Sequence, residues 1–292
     1  MKVILSDHAG FCWGVKRAIR LTEESLDAYT DRPIYASGDI IHNRQVNELF
    51  SKKGLMFESD ITQYDSRGVF IVRSHGLAQN TRTAVQEKGL EIIDTTCPFV
   101  DRVRKRLEEL LQDGYYIVVC GKKGHPEVSH LVEGLKDDQY TVARNSAELE
   151  SSLTGWNTHT KIGLISQTTQ SQEMFDEIQE RLQETCTDLR IYNTICHATI
   201  ERQSVVRELA PQCDAMIVVG GKNSSNTKNL LQICLEYQPH SIHIEDVDEL
   251  QQLGEEWFKN INTVGVTAGA STPDNIIDSV VTWLKNYSDT TS

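Results

Sequence analysis

The chain has no long apolar run. Nothing approaches the ~18 consecutive apolar residues of a membrane-spanning helix. The opening residues, Met1-Lys2-Val3-Ile4-Leu5-Ser6-Asp7, turn polar too quickly for a secretory signal. Positive charge is also scarce: 29 Lys and Arg face 42 Asp and Glu, a formal net charge of -13 over 292 residues. A nucleic-acid scaffold or a polybasic membrane binder would need a basic face, so neither class is expected. An anionic small substrate remains compatible, because a local site can differ in sign from the whole surface. Neither G-x-G-x-x-G nor Gly-Lys-Ser/Thr occurs, so no motif supports a nicotinamide dinucleotide or ATP. Cys-x-x-Cys is missing as well, which removes the zinc ribbon, the thioredoxin-type pair and the tight spacing of a bacterial ferredoxin. The seven cysteines stand at 12, 97, 120, 186, 196, 213 and 234. An odd, scattered set does not read as a secreted disulfide framework, so a reducing cytoplasm is the expected compartment.

What the chain does have is alternation. Short apolar runs such as 69–73, 115–120, 161–165, 215–219 and 264–267 each end in a polar or glycine-bearing loop, and a helical pattern follows. Uninterrupted apolar strands separated by helices imply parallel sheets covered on both faces, an α/β chain. A chain of this length is expected to hold two or three domains.

Three cysteines share one local grammar. Val3-Ile4-Leu5 leads to Gly10-Phe11-Cys12-Trp13-Gly14-Val15, Ile92-Ile93-Asp94 to Thr95-Thr96-Cys97-Pro98, and Leu189-Arg190-Ile191-Tyr192 to Asn193-Thr194-Ile195-Cys196. Apolar spacing predicts helices after the first two, through Val15, Ala18, Ile19, Thr22 and Leu26 and through Val100, Val103, Leu107, Leu110 and Leu111. Pro98 suits a first helical position. A thiol at a helix N-terminus meets unpaired N–H groups that favour the thiolate, and three such thiolates could converge on one metal centre. Cys120, Cys213 and Cys234 fit an inert core role, and Cys186 is undecided. If three thiolates hold a four-iron cluster, one iron lacks a protein ligand; an open iron can act as a Lewis acid, whereas a fully ligated cluster mainly passes electrons.

The loops that end the apolar runs carry Ser, Thr, Asn, Gln, His and Gly. At the carboxyl ends of parallel strands such loops can surround a phosphate or diphosphate with neutral donors and helix N-termini. Each alone is more often an ordinary turn or cap; six together favour a site. Ser74-His75-Gly76 and Gly124-His125-Pro126-Glu127 are the sharpest, since His beside a carboxylate suits acid–base or anion work, and Ile41-His42-Asn43 is similar.

These segments carry a resemblance. Gly10-Phe11-Cys12-Trp13-Gly14-Val15 with Arg17-Ala18, His42-Asn43, Arg73-Ser74-His75-Gly76, Asp94-Thr95-Thr96-Cys97-Pro98, Gly124-His125-Pro126-Glu127, Ser166-Gln167-Thr168-Thr169, Asn193-Thr194-Ile195-Cys196, Ser224-Ser225-Asn226 and Gly269-Ala270-Ser271-Thr272-Pro273 stand in one order over nearly the whole chain. The sequence resembles the LytB-type 4-hydroxy-3-methylbut-2-enyl diphosphate reductases, which end the non-mevalonate isoprenoid pathway. His197 and Thr227 fall where that family varies. The resemblance implies three similar parallel-sheet α/β units around a pseudo-threefold axis with a central iron–sulfur cluster: 14–96, 97–193, and 194–281 plus 1–13, with 282–292 as a tail. It implies a 4Fe-4S cluster on Cys12, Cys97 and Cys196. His42, His75, His125, Thr168, Ser224, Ser225, Asn226 and Ser271 would bind substrate, and Glu127 with Thr168 would deliver protons. The reaction implied is reductive dehydroxylation of (E)-4-hydroxy-3-methylbut-2-enyl diphosphate to isopentenyl and dimethylallyl diphosphate. With no flavin or nicotinamide fingerprint, electrons are expected from a separate ferredoxin or flavodoxin, and neither nucleic acid nor membrane is an expected partner.

Three other readings stay open at this level. An iron–sulfur hydratase would also use an open iron but needs no reductant. A cluster-based sensor would need a partner surface that the acidic composition speaks against. A phosphate-binding α/β protein would keep all its cysteines as core.

Overall fold

The computed structural model describes residues 1–152 and 161–290. The chain opens with β1 (Lys2–Leu5) and α1 (Trp13–Ala28), on which Val15, Ala18, Thr22 and Leu26 form the buried stripe that apolar spacing predicts. Next come β2 (Ile34–Ala36), α2 (Arg44–Lys52), β3 (Leu55–Phe57), β4 (Val69–Val72), α3 (Gln79–Glu87) and β5 (Glu91–Asp94). These four strands pair in the order β3-β2-β4-β5, all parallel.

A second sheet follows the same plan. After α4 (Pro98–Gln112) come β6 (Tyr116–Cys120), α5 (Pro126–Val132), β7 (Tyr140–Ala143), α6 (Ser146–Ser152), β8 (Lys161–Ser166), α7 (Gln172–Thr185) and β9 (Asp188–Ile191). The order is β7-β6-β8-β9. Period-two alternation divides β6 between two cores. Val118 and Cys120 pack with Phe175, Ile178 and Leu182 of α7. Ile117 and Val119 pack with Val103, Leu107 and Leu110 of α4 and with Val128 and Leu131 of α5.

The third sheet takes back the first strand. After α8 (His197–Leu209) the chain runs through β10 (Ala215–Val219), α9 (Ser225–Tyr237), β11 (Ser241–Ile244), α10 (Val247–Gln251), α11 (Glu255–Phe258), β12 (Thr263–Ala268) and α12 (Asp274–Thr290). The order is β1-β12-β10-β11, with Val3 opposite Val264 and Leu5 opposite Val266. Taken from the other edge this is the same topology a third time, the last strand coming from the N-terminus. Packing divides the chain into two units: Met1–Lys16 with Ile41–Leu49 and His197–Ser292, and Arg17–Ile40 with Phe50–Cys196. The latter holds two of the sheets.

The expected tail from 282 is a correction. Residues 282–290 continue α12, because Leu284 is fully buried with Ile276, Ile277 and Val280, and Trp283 and Tyr287 pack against the same core. The polar letters near the end conceal an apolar stripe that holds the helix in place. Among the described residues, no helix is long and apolar enough to cross a membrane.

Candidate active site

In each sheet the strand order reverses between the two central strands, the switch point at which α/β sheets bind ligands. The loops leaving β2, β4, β6, β8, β10 and β12, with the first turns of the helices they enter, carry every substrate or proton-handling residue expected from the sequence. Each of the three cysteines leaves an edge strand, and all three start helices as expected: Cys12 precedes α1, Cys97 is the N-cap of α4 with Pro98 in its first turn, and Cys196 precedes α8.

One backbone device recurs at all three. The N–H of Cys12 donates to the Ala270 carbonyl at 3.1 Å, that of Cys97 to Ser74 at 3.0 Å and that of Cys196 to Thr168 at 2.9 Å. Each cysteine loop is thereby tied to the loop of the neighbouring strand in its own sheet, and that loop holds Ser271, His75 or Thr168. The supporting bonds are local. Thr194 Oγ1 donates to the Ser166 carbonyl at 2.7 Å and accepts from the Ser166 N–H at 2.7 Å. Thr95 Oγ1 donates to the Val72 carbonyl. Ser74 Oγ donates to the Ile40 carbonyl at 3.0 Å, which sets the turn on which His75 stands.

The thiols divide in two. Cys12, Cys97 and Cys196 are partly exposed, as is Cys186 at the C-terminal end of α7, while Cys120, Cys213 and Cys234 are buried, and none of the seven is in a disulfide. Burial pushes the thiols of Cys120 and Cys234 up to about 12 and also raises that of Cys213, so these stay protonated core groups. Cys12 Sγ instead accepts the N–H of Val15 at 3.5 Å, a bond that a thiolate strengthens. Partly exposed sulfur donors at helix N-termini are soft ligands for an iron–sulfur group, so the residues present fit one.

Glu127 is buried at 1% exposure on the first turn of α5. Thr168 N–H donates to its Oε1 at 2.6 Å and Thr168 Oγ1 donates to Oε2 at 2.7 Å. Burial raises its pKa to about 7, against the lowering effect of these two bonds. His125 caps the same helix: its Nδ1 accepts the Glu127 N–H at 3.2 Å, so a neutral ring carries its proton on Nε2. The rings of His75 and His125 meet edge to face with centroids 5.6 Å apart.

His42 is fixed by its neighbours. Asn43 Oδ1 accepts the Val46 N–H at 3.0 Å at the start of α2, and Asn47 Nδ2 donates to the Ile41 carbonyl at 2.8 Å. A Cβ on Gly221 would stand 2.6 Å from the His42 carbonyl oxygen, so the His42 loop and the loop entering α9 are in contact. Ser224 is the N-cap of α9, accepting from the Thr227 N–H at 3.2 Å. Asn226 is only 3% exposed, yet neither its Oδ1 nor its Nδ2 has a hydrogen-bond partner. A buried amide left so is costly, and it suits a group that meets its partner when ligand binds. Ser271 precedes Thr272, whose Oγ1 donates to the Val219 carbonyl at 3.0 Å.

Sequence reasoning missed several supports. Thr227 Oγ1 is buried without a partner, and a Cβ on Gly269 would collide with it. His130 lies under the His75 turn, where its ring would collide with a Cβ on Gly76, and Gly76 has φ +90°. The carbonyls of Ala270, Ser74 and Thr168 have no side-chain signal at all. His130, five residues after His125 on α5, could have been found as a second polar group on a short amphipathic helix.

The family model for LytB protein matches residues 3–285. The 4-hydroxy-3-methylbut-2-enyl diphosphate reductase of Aquifex aeolicus is 41% identical over 281 residues, 95% of this chain and 94% of that protein. The enzyme of the same name from Pelobacter propionicus is 42% identical over 281 residues, covering 96% of each. Among solved structures, an (E)-4-hydroxy-3-methyl-but-2-enyl diphosphate reductase described as the terminal enzyme of the non-mevalonate pathway is 38% identical. It aligns with a TM-score of 0.68 over 98% of this chain and 100% of that one. The Plasmodium falciparum reductase aligns with a TM-score of 0.91 at 28% identity, over 97% of this chain and 88% of that one. The chain belongs to the LytB protein family.

Proposed function

We propose that this chain reduces (E)-4-hydroxy-3-methylbut-2-enyl diphosphate to isopentenyl and dimethylallyl diphosphate and water, as its relatives are named to do, and that it acts in the cytoplasm with electrons from a separate ferredoxin or flavodoxin. Cys12, Cys97 and Cys196 are the ligands of a 4Fe-4S cluster in this reading, and 14–96, 97–193 and 194–281 with 1–13 are its three repeated units. Bound there, the cluster would supply the electrons and one iron open to the substrate oxygen. The observation that carries the reading is the thrice-repeated N–H bond from each of these cysteines to a loop bearing an anion- or proton-handling residue.

The chain's own residues have two tasks. The first is to hold a diphosphate. His42, His75, His125, Ser224, Ser225, Asn226 and Ser271 offer neutral or titratable donors, and the Nε2–H of His125 is one donor whose tautomer is already set. Asn226 meets its partner only when the anion arrives.

The second task is to move a proton. Hydroxide is a poor leaving group, so the hydroxyl must be protonated as it departs. With a pKa of about 7, Glu127 holds a proton for a large part of the time near neutrality. Its Oε1 is bound to a backbone N–H, which can only donate, so the acid hydrogen belongs on Oε2. The 2.7 Å Oε2–Oγ1 pair can run in either direction, so Thr168 passes the proton outward by turning its hydroxyl. Two electrons and two protons convert the alcohol to a C–H product and water, so the atoms balance.

The deciding experiment is oxygen-free purification with iron and sulfide analysis, a Mössbauer spectrum with and without the diphosphate, and turnover on reduced viologen. Expected are four irons, one of them shifted by substrate, and product only when reductant is present. Conversion of the diphosphate without reductant, to a hydrated or dehydrated compound, would identify a hydratase. Colourless, iron-poor protein that still turns over would end the proposal.

A further inference from the structure

We propose that the N-terminal half of α4, with Arg17 and Arg20 of α1, forms the docking surface for an acidic one-electron carrier protein. This rests on the reductase reading, which requires an outside source of electrons.

The two helices share an unusual charge order. From Trp13 to Arg20, α1 carries Lys16, Arg17 and Arg20 and no acid; from Leu21 to Ala28 it carries Glu23, Glu24 and Asp27 and no base. From Pro98 to Arg106, α4 carries Arg102, Arg104, Lys105 and Arg106 against Asp101 alone; Glu108 and Glu109 follow. In α1 the helix dipole favours the reverse, whereas α4 keeps Asp101 in its first turn and its bases begin after it. Dipole pairing therefore does not explain Lys16, Arg17 and Arg20, nor the run of bases after the first turn of α4. Both helices start immediately after a proposed cluster ligand, and Arg17 ties them together by donating to the Thr96 carbonyl at 3.0 Å, on the loop that leads to Cys97.

Part of the charge is used internally. Arg104 Nη1 caps the end of α5 at the His130 and Leu131 carbonyls, 3.2 and 2.8 Å away, and Arg20 and Arg106 pair with Glu24 and Glu109. Arg102 and Lys105 remain exposed, neighbours at i, i+3, with Arg102 over the Phe99 ring at 5.1 Å. An acidic carrier approaching a chain of net charge -13 is repelled almost everywhere. A basic surface beside the Cys97 loop steers it to the place where an electron is needed, and rim charges of this kind act on encounter rate and salt dependence. Two successive encounters oxidise two carriers by one electron each and supply the electron pair.

The test uses the full-length holoenzyme and the double variant Arg102→Glu/Lys105→Glu, with Lys136→Glu, an exposed lysine after α5, as control. Reduced plant-type ferredoxin and reduced methyl viologen are the two electron sources. With ferredoxin, the double variant should raise KM for the carrier about tenfold or more, and its rate should lose most of the salt dependence that the native chain shows between about 0.02 and 0.2 M. Viologen-driven turnover and the KM for the diphosphate should match the native chain, and the melting temperature should stay within a few degrees of it, because both side chains are exposed. An unchanged ferredoxin KM overturns the proposal. So does a raised diphosphate KM with viologen, which would make the surface a substrate guide. If the native chain fails to turn over even with viologen, the reductase reading falls and this surface with it.

Discussion

Thr168 donates to Glu127 from both its backbone N–H and its hydroxyl, while its carbonyl receives the N–H of Cys196. One residue thus fixes the proposed acid and a proposed cluster ligand. The two roles can be separated, because only the hydroxyl is a side-chain group. Thr168→Val keeps the shape, the N–H and the carbonyl. Turnover should fall by roughly 10²–10⁴-fold while iron content stays native, since a positioned proton relay contributes about that much. Iron loss in Thr168→Val would make the hydroxyl a structural group instead.

The acid itself can be tested by pH. The folded pKa of Glu127 is about 7 against an ordinary 4.5, and burial is the cause. For a raised carboxyl the sign is clear: the unfolded chain ionises first as pH rises, so stability is fully present below about 4.5 and is lost as pH climbs toward 7. The loss approaches roughly 3 kcal/mol above that window. Glu127→Gln imitates the protonated form. Its melting temperature should match the native chain at pH 5 and exceed it at pH 8, whereas its turnover should be nearly lost and its iron kept. A native turnover number in Glu127→Gln would remove this carboxyl from the proton path.

Much of this was legible in the sequence, for a physical reason. Central strands such as β10 are buried on both faces and so must be continuously apolar, and the loops that follow them inherit the switch-point position. The edge strands β3, β7 and β11 are short and only partly buried, and β2 is three residues long, so none stands out as an apolar run. The side chains of the site were legible because their chemistry is in their letters. The carbonyls of Ser74, Thr168 and Ala270 were not, because every residue has one. Residues 282–290 misled for a related reason: Trp283, Leu284 and Tyr287 lie at helical spacing among polar letters.

The division of the thiols predicts iron content. Cys97→Ser should lose iron and visible absorbance. Cys213→Ser, in a thiol that burial keeps protonated, should retain both at some cost in melting temperature. Equal iron in the two variants would refute the ligand assignment.

Gly76 separates backbone from side-chain effects at His75. A Cβ there collides with the His130 ring, and φ is +90°, so Gly76→Ala carries both a clash and left-handed strain of about 1–2 kcal/mol. The variant should lower the melting temperature and raise the KM for the diphosphate by moving His75. Adding His130→Ala removes the clash but leaves the strain, so it should recover only part of both losses. Full recovery would mean that the backbone at Gly76 is unstrained, and no recovery that His130 is not the obstacle.

Asn226 sets stability against binding. Its amide is buried with both polar atoms unpartnered, and each such atom costs about 1–3 kcal/mol relative to a satisfied one. Asn226→Leu replaces the amide by a side chain of similar shape with nothing to satisfy. Without ligand, the variant should therefore melt at the same temperature or higher, which few buried substitutions achieve. With the diphosphate the order should reverse, because the native amide gains its partners and an aliphatic side chain offers none. The KM should rise, and ligand should stabilise the variant less. Thermal shift with and without diphosphate gives both stability readouts from one preparation. A lower melting temperature for the ligand-free variant would show that Asn226 is already satisfied, and it would remove the residue from the set that waits for the anion.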